Sequence, residues 1–522
     1  MSRFQDKASP DWPGWLVLLF LTNLFVKILP LFQGIMIHPD APVYLWAAQA
    51  LEQGNIPAAI KAYPMLFYPF LVMCVHKLGV DWLAAGRTIS VAASCLALLP
   101  FIGLAKRFSP GWPAIIISMV FILLPEYDSI AFEALRDPLY ICLALFSVYS
   151  AVRFAESQEW QWFLAVILFA ISLPFLRVEG LVVSLVILGW SIVGFIRSFD
   201  RRGRMWALAV TACLVAFLFS VFCLSETARD LLRLGRVTAI LGKFGDTPRS
   251  MVYYLDKLDE LARNNVPSGF GNNFWQVIER HWQWVYGIGM VFMFENNLSW
   301  LLILLGIVGV KEVVRVPRTG LLLVAVFMAN MSLIFAKYLY SGSIEGRVML
   351  LPAILWLLLA GAAFSFVAGY LAEKCRIGIV QKKANVLILL GLLLALPFAY
   401  KTASMDYNID IPVLRDSCRW VNGQLLSDGK DWQVWVNMRT MVWFLEKQDA
   451  RQIGPKNKQK VFRILKQSKK KAVVILLLSR RNENDIALMK KLVETKKFSS
   501  KLFTDPNDEK NFVIVVWREK KR

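Results

Sequence analysis

The stretch LPFLRVEGLVVSLVILGWSIVGFIRSFDRRGR, residues 173–204, decides how the chain is read. Its middle, about 180–197, is an apolar run of membrane-spanning length, because crossing the hydrocarbon core takes roughly 20 apolar residues in a helix. RVE bounds it on one side and RSFDRRGR on the other. Lys and Arg in short loops select the cytoplasmic side, so RSFDRRGR predicts an inward end, with Arg177 and Glu179 at the outward one.

The rest of the chain repeats this pattern. Of 522 residues, 57% are hydrophobic and 13% aromatic, including 19 Trp and 35 Phe, a composition that fits a helical bundle with interfacial aromatic belts. The formal charge of +21 is read first as cytoplasmic loops and contact with anionic lipid head groups. Nucleic acid is the weaker reading, as no compact basic motif accompanies the charge. Of the seven cysteines, five lie inside apolar runs, so packing rather than a disulfide framework is expected. The three histidines, His38, His76 and His281, are too scattered for a histidine metal site. The first apolar run is long and lacks a small-residue cleavage site, so it reads as a retained helix rather than a signal peptide.

Eleven spans are expected, at about 12–37, 86–105, 112–127, 138–155, 160–176, 180–197, 205–225, 296–310, 320–336, 347–371 and 385–400. The basic stretches KR at 106–107, KEVVRVPR at 311–318 and EKCRIGIVQKK at 373–383 agree with RSFDRRGR as inner loops. Counting from them puts the N-terminus inside and places 38–85, 126–137, 177–179, 226–295 and 337–346 outside. The run YPMLFYPFLVMCVHKLG at 63–79 breaks this parity if it crosses; it is short and carries two prolines, so it is predicted to be a juxtamembrane or re-entrant helix. After about residue 400 the chain turns polar. WQVWVN, AVVILLLS and FVIVVW read as strands, with RTMVWFLEKQ and NDIALMKKLVETKK as helices between them. The expected fold is therefore a polytopic α-helical membrane domain, 1–400, and a small C-terminal soluble α/β domain, 401–522, on the outer side.

Outside, four polar clusters meet one surface: Asp40 after the first span, EYDSIAFEALRDPLY at 126–140, LRVEGL at 176–181 and EGR at 345–347. A charge at mid-bilayer costs about 2.5–3.5 kcal/mol even on lenient scales, so charges kept beside apolar helix ends are functional candidates. Each also has a bland reading. Asp40 precedes a helical pattern with Pro42 in its first turn, which suits an N-cap. Asp137-Pro138 is a credible helix start, Arg177 with Glu179 an interfacial ion pair, Arg347 a snorkelling anchor and Lys61 a solvated charge.

The ordered set decides between these readings. HPDAPVYLWAAQALEQG (38–54) resembles the first outer loop of GT-C glycosyltransferases of family 39, the protein O-mannosyltransferases and lipid A aminoarabinose transferases. AYPMLFYPFLVMCVHKLGVDWLAAGRTIS is similar to their Tyr/Pro-rich juxtamembrane helix. EALRDPLYICLAL, LPFLRVEGLVV and EGRVMLLP resemble the later outer motifs, in order over about 12–360. Two departures stand out: Ala41 follows Asp40 where many relatives have a second acid, and Tyr63 precedes Pro64 where the aminoarabinose enzymes carry Lys.

The resemblance implies a membrane enzyme that moves a sugar from a polyprenyl (undecaprenyl) phosphate to an acceptor hydroxyl on a lipid, a protein or a polysaccharide. It implies Asp40 as general base and inversion at the sugar. Arg177 and Arg347, with Arg87, Arg136 and Lys61, would hold the donor phosphate. Asp137, Glu179, Glu133, Tyr44 and Tyr63 would orient the sugar or the basic groups. No cofactor is required, and a divalent metal is compatible but not indicated. The expected location is the plasma (inner) membrane, with the active site extracytoplasmic, membrane lipid as a neighbour and no nucleic-acid partner. The alternatives are a transporter or flippase of lipid-linked sugars and a membrane-anchored binding scaffold; the first predicts half-to-half similarity, which the sequence does not show.

Overall fold

The computed structural model describes residues 12–30, 37–198, 282–316, 318–341 and 345–374, and in the C-terminal part chiefly 412–426, 432–436, 471–479, 483–494, 498–504 and 511–518. Two compact units emerge. One comprises Met1–Leu29 with Asn55–Met405, the other Pro30–Gly54 with Asp406–Arg522. The second therefore includes residues 30–54, which the sequence division at 400/401 had left with the membrane domain.

The first unit is helical: α1 (Trp12–Ile28), α3 (Ile56–Ala62), α4 (Phe67–His76), α5 (Trp82–Phe108), α6 (Trp112–Ile122), α7 (Pro125–Ala131), α8 (Asp137–Ser157), α9 (Trp160–Ser172), α10 (Glu179–Ser198), α11 (Trp282–Asn297), α12 (Trp300–Val314), α13 (Thr319–Ser341) and α14 (Leu350–Lys374). Five spans among the described residues are long and apolar enough to cross a membrane: Trp82–Phe108, Asp137–Ser157, Glu179–Arg197, Thr319–Tyr338 and Gly346–Phe364. Three further helix pairs qualify only as bent units, and two apolar helices, Trp12–Ile28 and Trp160–Phe175, are shorter. The chain is a multi-pass membrane protein. The expected span 205–225 lies outside the described residues, as does most of 385–400.

Local chemistry explains where the structure departs from straight spans. Segment 63–79 belongs to the pair α3/α4, bent by 117°. Tyr63 there is extended (φ −150°, ψ 121°), as a residue before proline is driven to be. The run read as 112–127 breaks into α6 and α7 at 55°, again just before a proline, where Leu124 is extended. The span expected at 296–310 begins instead at Trp300, because Ser299 caps that helix by accepting the Leu302 N–H at 3.5 Å; α11 and α12 meet at 106°. The first span ends at Ile28 rather than near 37, two residues before Pro30, which cannot continue the amide ladder.

Helices here approach closely through small residues. A Cβ on Gly309 of α12 would collide with the Leu359 carbonyl of α14, while Trp356 Nε1 donates to the carbonyls of Leu302 and Ile303, both at 3.3 Å. A second internal contact is ionic. Lys27 of α1 and Asp128 of α7 form a fully buried pair, with Lys27 also donating to the Ile122 carbonyl at 3.2 Å and lying 4.7 Å from the Tyr127 ring centre. A buried charge is tolerated only when paired in this way. The pair ties the first helix to the α6–α7 break.

The second unit contains α2 (Ala41–Glu52), α15 (Pro412–Val421), α16 (Glu483–Glu494) and a five-stranded sheet. Its strands are β1 (Trp432–Val436), β2 (Arg451–Gln452), β3 (Lys471–Ser479), β4 (Ser499–Thr504) and β5 (Asn511–Arg518), in the order β2-β1-β3-β5-β4. β1 pairs parallel with β2 and β3, and β5 pairs antiparallel with β3 and β4; Ile475 stands opposite both Val436 and Val515. Alternate residues of β3 and β5 enter separate cores: Val473, Ile475, Val513 and Val515 one, Val474, Leu476, Ile514 and Val516 the other. The three strands expected from sequence are β1, β3 and β5, and the second expected helix is α16; RTMVWFLEKQ lies mostly outside the described residues.

Candidate functional site

The turn between α9 and α10 builds one wall. Residues 173–175 form a single 3-10 turn, the Arg177 N–H donates to the Leu173 carbonyl at 3.0 Å, and the Gly180 N–H donates to the Arg177 carbonyl at 3.0 Å. Position 180 must be glycine, since a Cβ there would strike the Leu173 carbonyl. The tight reversal puts Arg177 and Glu179 at the very start of α10. Asp137 opens α8, with Pro138 in its first turn. Arg347 sits in the 3-10 turn Gly346–Met349 that leads into α14.

These side chains converge. Arg177 pairs with Asp137 through Nη1 and reaches Glu179 at 3.4 Å (Nε to Oε2) and 3.5 Å (Nη2 to Oε1). Its guanidinium lies 5.7 Å from the Tyr140 ring centre. Arg347 Nη1 is 3.8 Å from the other Asp137 oxygen, and its Nε donates to Glu345 at 2.5 Å. From α13, Lys337 Nζ approaches Glu179 Oε1 at 3.3 Å. A small, partly open cavity is lined by Asp137, Tyr140, Arg177, Glu179, Asn330 and Arg347, with Ile141, Val348 and Leu351 as its apolar part.

Asp137 and Arg177 are buried, at 2% and 6% exposure. Burial alone would discharge Arg177, but the Glu179 and Asp137 carboxylates outweigh it and raise its pKa above the usual arginine value. Two guanidiniums thus face two carboxylates, while Lys337 and Glu345, both exposed, are screened by water. The arrangement is a preformed pocket with two guanidinium forks, which suits a phosphate. Among the described residues, no three His, Cys, Asp or Glu side chains gather as metal ligands would.

Of the residues singled out in the sequence, Asp137, Arg177, Glu179 and Arg347 thus share one cavity. Arg136 and Tyr63 brace it from behind: Arg136 Nη1 donates to the Leu176 carbonyl at 2.7 Å, and its guanidinium lies 5.2 Å from the Tyr63 ring centre. Glu133 is buried, Arg87 half-buried on α5 and Lys61 exposed on α3, and none of them lines the cavity. Asp40 and Tyr44 belong to the other unit. Asp40 holds the N-cap position of α2, yet its carboxylate makes no capping bond; its backbone N–H donates to His38 Nδ1 at 3.1 Å.

Three residues escaped the sequence reading: Tyr140 and Asn330, which line the cavity, and Lys337, which pairs with Glu179. Signals for them existed. Tyr140 is one helical turn beyond Asp137 and so shares its face. Asn330 is a lone amide inside an apolar span, and Lys337 a cation near that span's C-terminal end.

No protein-family model and no curated protein matches the chain. Solved structures do. ArnT from Cupriavidus metallidurans in the apo state is 13% identical with a TM-score of 0.52, over 97% of this chain and 98% of that one. The same organism's ArnT bound to undecaprenyl phosphate is 15% identical with a TM-score of 0.50, over 96% and 98%. This chain is similar in fold to ArnT, a GT-C transferase, over almost its whole length, as the ordered outer motifs implied.

Proposed function

We propose that this ArnT-like chain is an integral membrane glycosyltransferase that takes a sugar from a polyprenyl phosphate and delivers it to an acceptor hydroxyl at the extracytoplasmic face of the plasma membrane. The observation that carries this reading is the buried Arg177–Asp137–Arg347 cluster where apolar helices end, in a fold that also holds undecaprenyl phosphate in a solved relative. A lipid tail can stay in the bilayer while its phosphate reaches such a cluster.

On this reading the acceptor oxygen forms a bond to the anomeric carbon as the bond from that carbon to the phosphate oxygen breaks. Both electrons of the broken bond leave with the polyprenyl phosphate, and the acceptor proton passes to the Asp40 carboxylate. Attack opposite the phosphate inverts the sugar. A positioned base contributes about 10²–10⁴-fold. Arg177 and Arg347 stabilise the growing phosphate charge, the kind of preorganised electrostatics that is a large catalytic term. Asp137 and Glu179 orient the guanidiniums, Tyr140 and Asn330 offer hydrogen bonds to the sugar, and the cations make a metal unnecessary. The second unit lies outside in this scheme.

The test is transfer in membranes containing the protein, with a panel of radiolabelled undecaprenyl phosphate-linked pentoses and hexoses and the membranes' own acceptors. Wild type transfers at least one; Asp40→Asn loses about 10²-fold or more. Full activity in Asp40→Asn removes it as base, and no transfer across the panel removes the enzymatic reading.

A further inference from the structure

Residues 30–54 and 406–522 form one compact unit although some 350 residues separate them in the chain. The joint is visible in side chains. α2 is buried on most of its circumference, with Ala41, Tyr44, Leu45, Ala47 and Ala48 at 3% exposure or less. Its Trp46 packs against the core that Cys418, Trp432, Val434 and Ile475 build on one face of the sheet, beside Trp420 and Trp517. A seated aromatic buries about 150–250 Å², and Trp46 is the side chain of this helix that packs on the sheet core.

The other end of the helix carries Asp40. The Ala41 N–H donates to the His38 carbonyl at 3.0 Å, the Val43 N–H to the Asp40 carbonyl at 3.2 Å, and the Asp40 N–H to His38 Nδ1 at 3.1 Å. Asp40 is therefore fixed on a tight turn continuous with α2, and Trp46 stands six residues on, about 9 Å along the axis at ~1.5 Å per residue. A short helix seated near its middle by a large aromatic carries its first turn with it.

We propose that the C-terminal unit is the mount for Asp40, and that Trp46 is the positioning residue through which it acts. The C-terminal unit then holds the turn that carries the proposed base, and a loosened Trp46 loosens that turn. This rests on the reading of Asp40 as base, whereas the mounting itself does not.

The experiment uses the full chain in nanodiscs, comparing wild type, Trp46→Ala, Trp46→Phe and Trp46→Leu. Hydrogen exchange over 41–52 reads the mounting: Trp46→Ala is expected to raise exchange on α2 by about tenfold or more, as for a locally released element, and Trp46→Phe to restore most of the protection. Slow alkylation of Cys418 in each variant reports that the core beneath stays folded. Turnover with the undecaprenyl phosphate-linked sugar active in the panel reads the positioning. Trp46→Ala should lose about a hundredfold in kcat with little change in donor KM, because a shift of about 1 Å at a reacting group costs that much. If the alanine variant does not fold, the phenylalanine and leucine variants carry the test, and exchange and turnover must change together across them. Unchanged exchange on α2 overturns the mounting. Raised exchange with wild-type kcat overturns the positioning. Undiminished transfer in Asp40→Asn, or an inactive panel, removes the positioning along with the base and leaves the exchange result standing on its own.

Discussion

Replacing Arg177 by Met tests the anion site directly. The substitution keeps a long, flexible side chain and removes one charge. Two guanidiniums against two carboxylates become one against two, and the ion-pair contact left to Asp137 is Arg347, at 3.8 Å. Two unit charges 4 Å apart interact by about 4 kcal/mol at an effective dielectric near 20. At about 1.4 kcal/mol per decade that is nearly three decades in affinity. The cavity is partly open to water, which weakens the interaction, so the expected loss of undecaprenyl phosphate affinity is about 30- to 1,000-fold. Arg177→Lys keeps the charge but cannot span Asp137 and Glu179 with one planar fork, so an intermediate loss is expected. Asp137→Asn should retain phosphate binding, since it removes a negative charge, while slowing turnover because Arg177 loses its closest guide. Arg177→Met with Asp137→Asn should be far less than additive, as both act on one contact. Affinity is read by native mass spectrometry of detergent-released protein with undecaprenyl phosphate added, and turnover by the transfer assay. Arg177→Met binding undecaprenyl phosphate within twofold of wild type would refute this account of the cavity.

Three other outcomes are expected. Lys27→Met alone strands Asp128 in a fully buried site and should cost about 3–5 kcal/mol, whereas Lys27→Met with Asp128→Leu should recover most of it; additive falls in detergent Tm would show that the two do not act as a pair. Gly180→Ala drives a Cβ into the Leu173 carbonyl, so a loss of about 1–3 kcal/mol, with weakened donor binding, should appear in Tm and in the mass spectra; a wild-type Tm would show that the turn relaxes freely. Burial pushes the Cys418 thiol up to about 12, from an ordinary value of 9.0, so native alkylation at pH 8 should be negligible and should speed up about tenfold per pH unit. Because the raised pKa keeps the folded thiol protonated, this group's contribution to stability is complete below pH 9 and declines as pH climbs toward 12; a Tm of the C-terminal unit that rises over that window would contradict the sign.

The part of the site that sequence exposed is the part governed by desolvation. Asp137, Arg177, Glu179 and Arg347 stand out because charge beside an apolar run is expensive, and all four line one cavity. Hydropathy has no direction, however, so it could not distinguish a straight crossing from α3/α4, α6/α7 or α11/α12, where proline or a serine cap turns the chain by 55° to 117°. The edge strands β2 and β4 were missed for a related reason: one has two residues and the other is mostly exposed, so neither carries a period-2 apolar signal. The grouping of α2 with the C-terminal sheet is a contact across some 350 residues, seen in the compact unit they form and in the packing of Trp46, and no local sequence pattern announces it.

The carboxylates in the cavity have a role that sequence charge alone would misjudge. Asp137 and Glu179 reduce the net attraction for an anion, so a tighter phosphate trap would omit them. What they supply is placement: a buried guanidinium held by two carboxylates and a tyrosine face needs no reorganisation when a phosphate arrives. On the proposed reading they also keep affinity for the released polyprenyl phosphate moderate, and a transferase must let go of that product in order to turn over. The cluster therefore gives up ground-state affinity and keeps its donors aimed at charge that grows during the reaction, which is the balance that raises kcat rather than merely lowering KM.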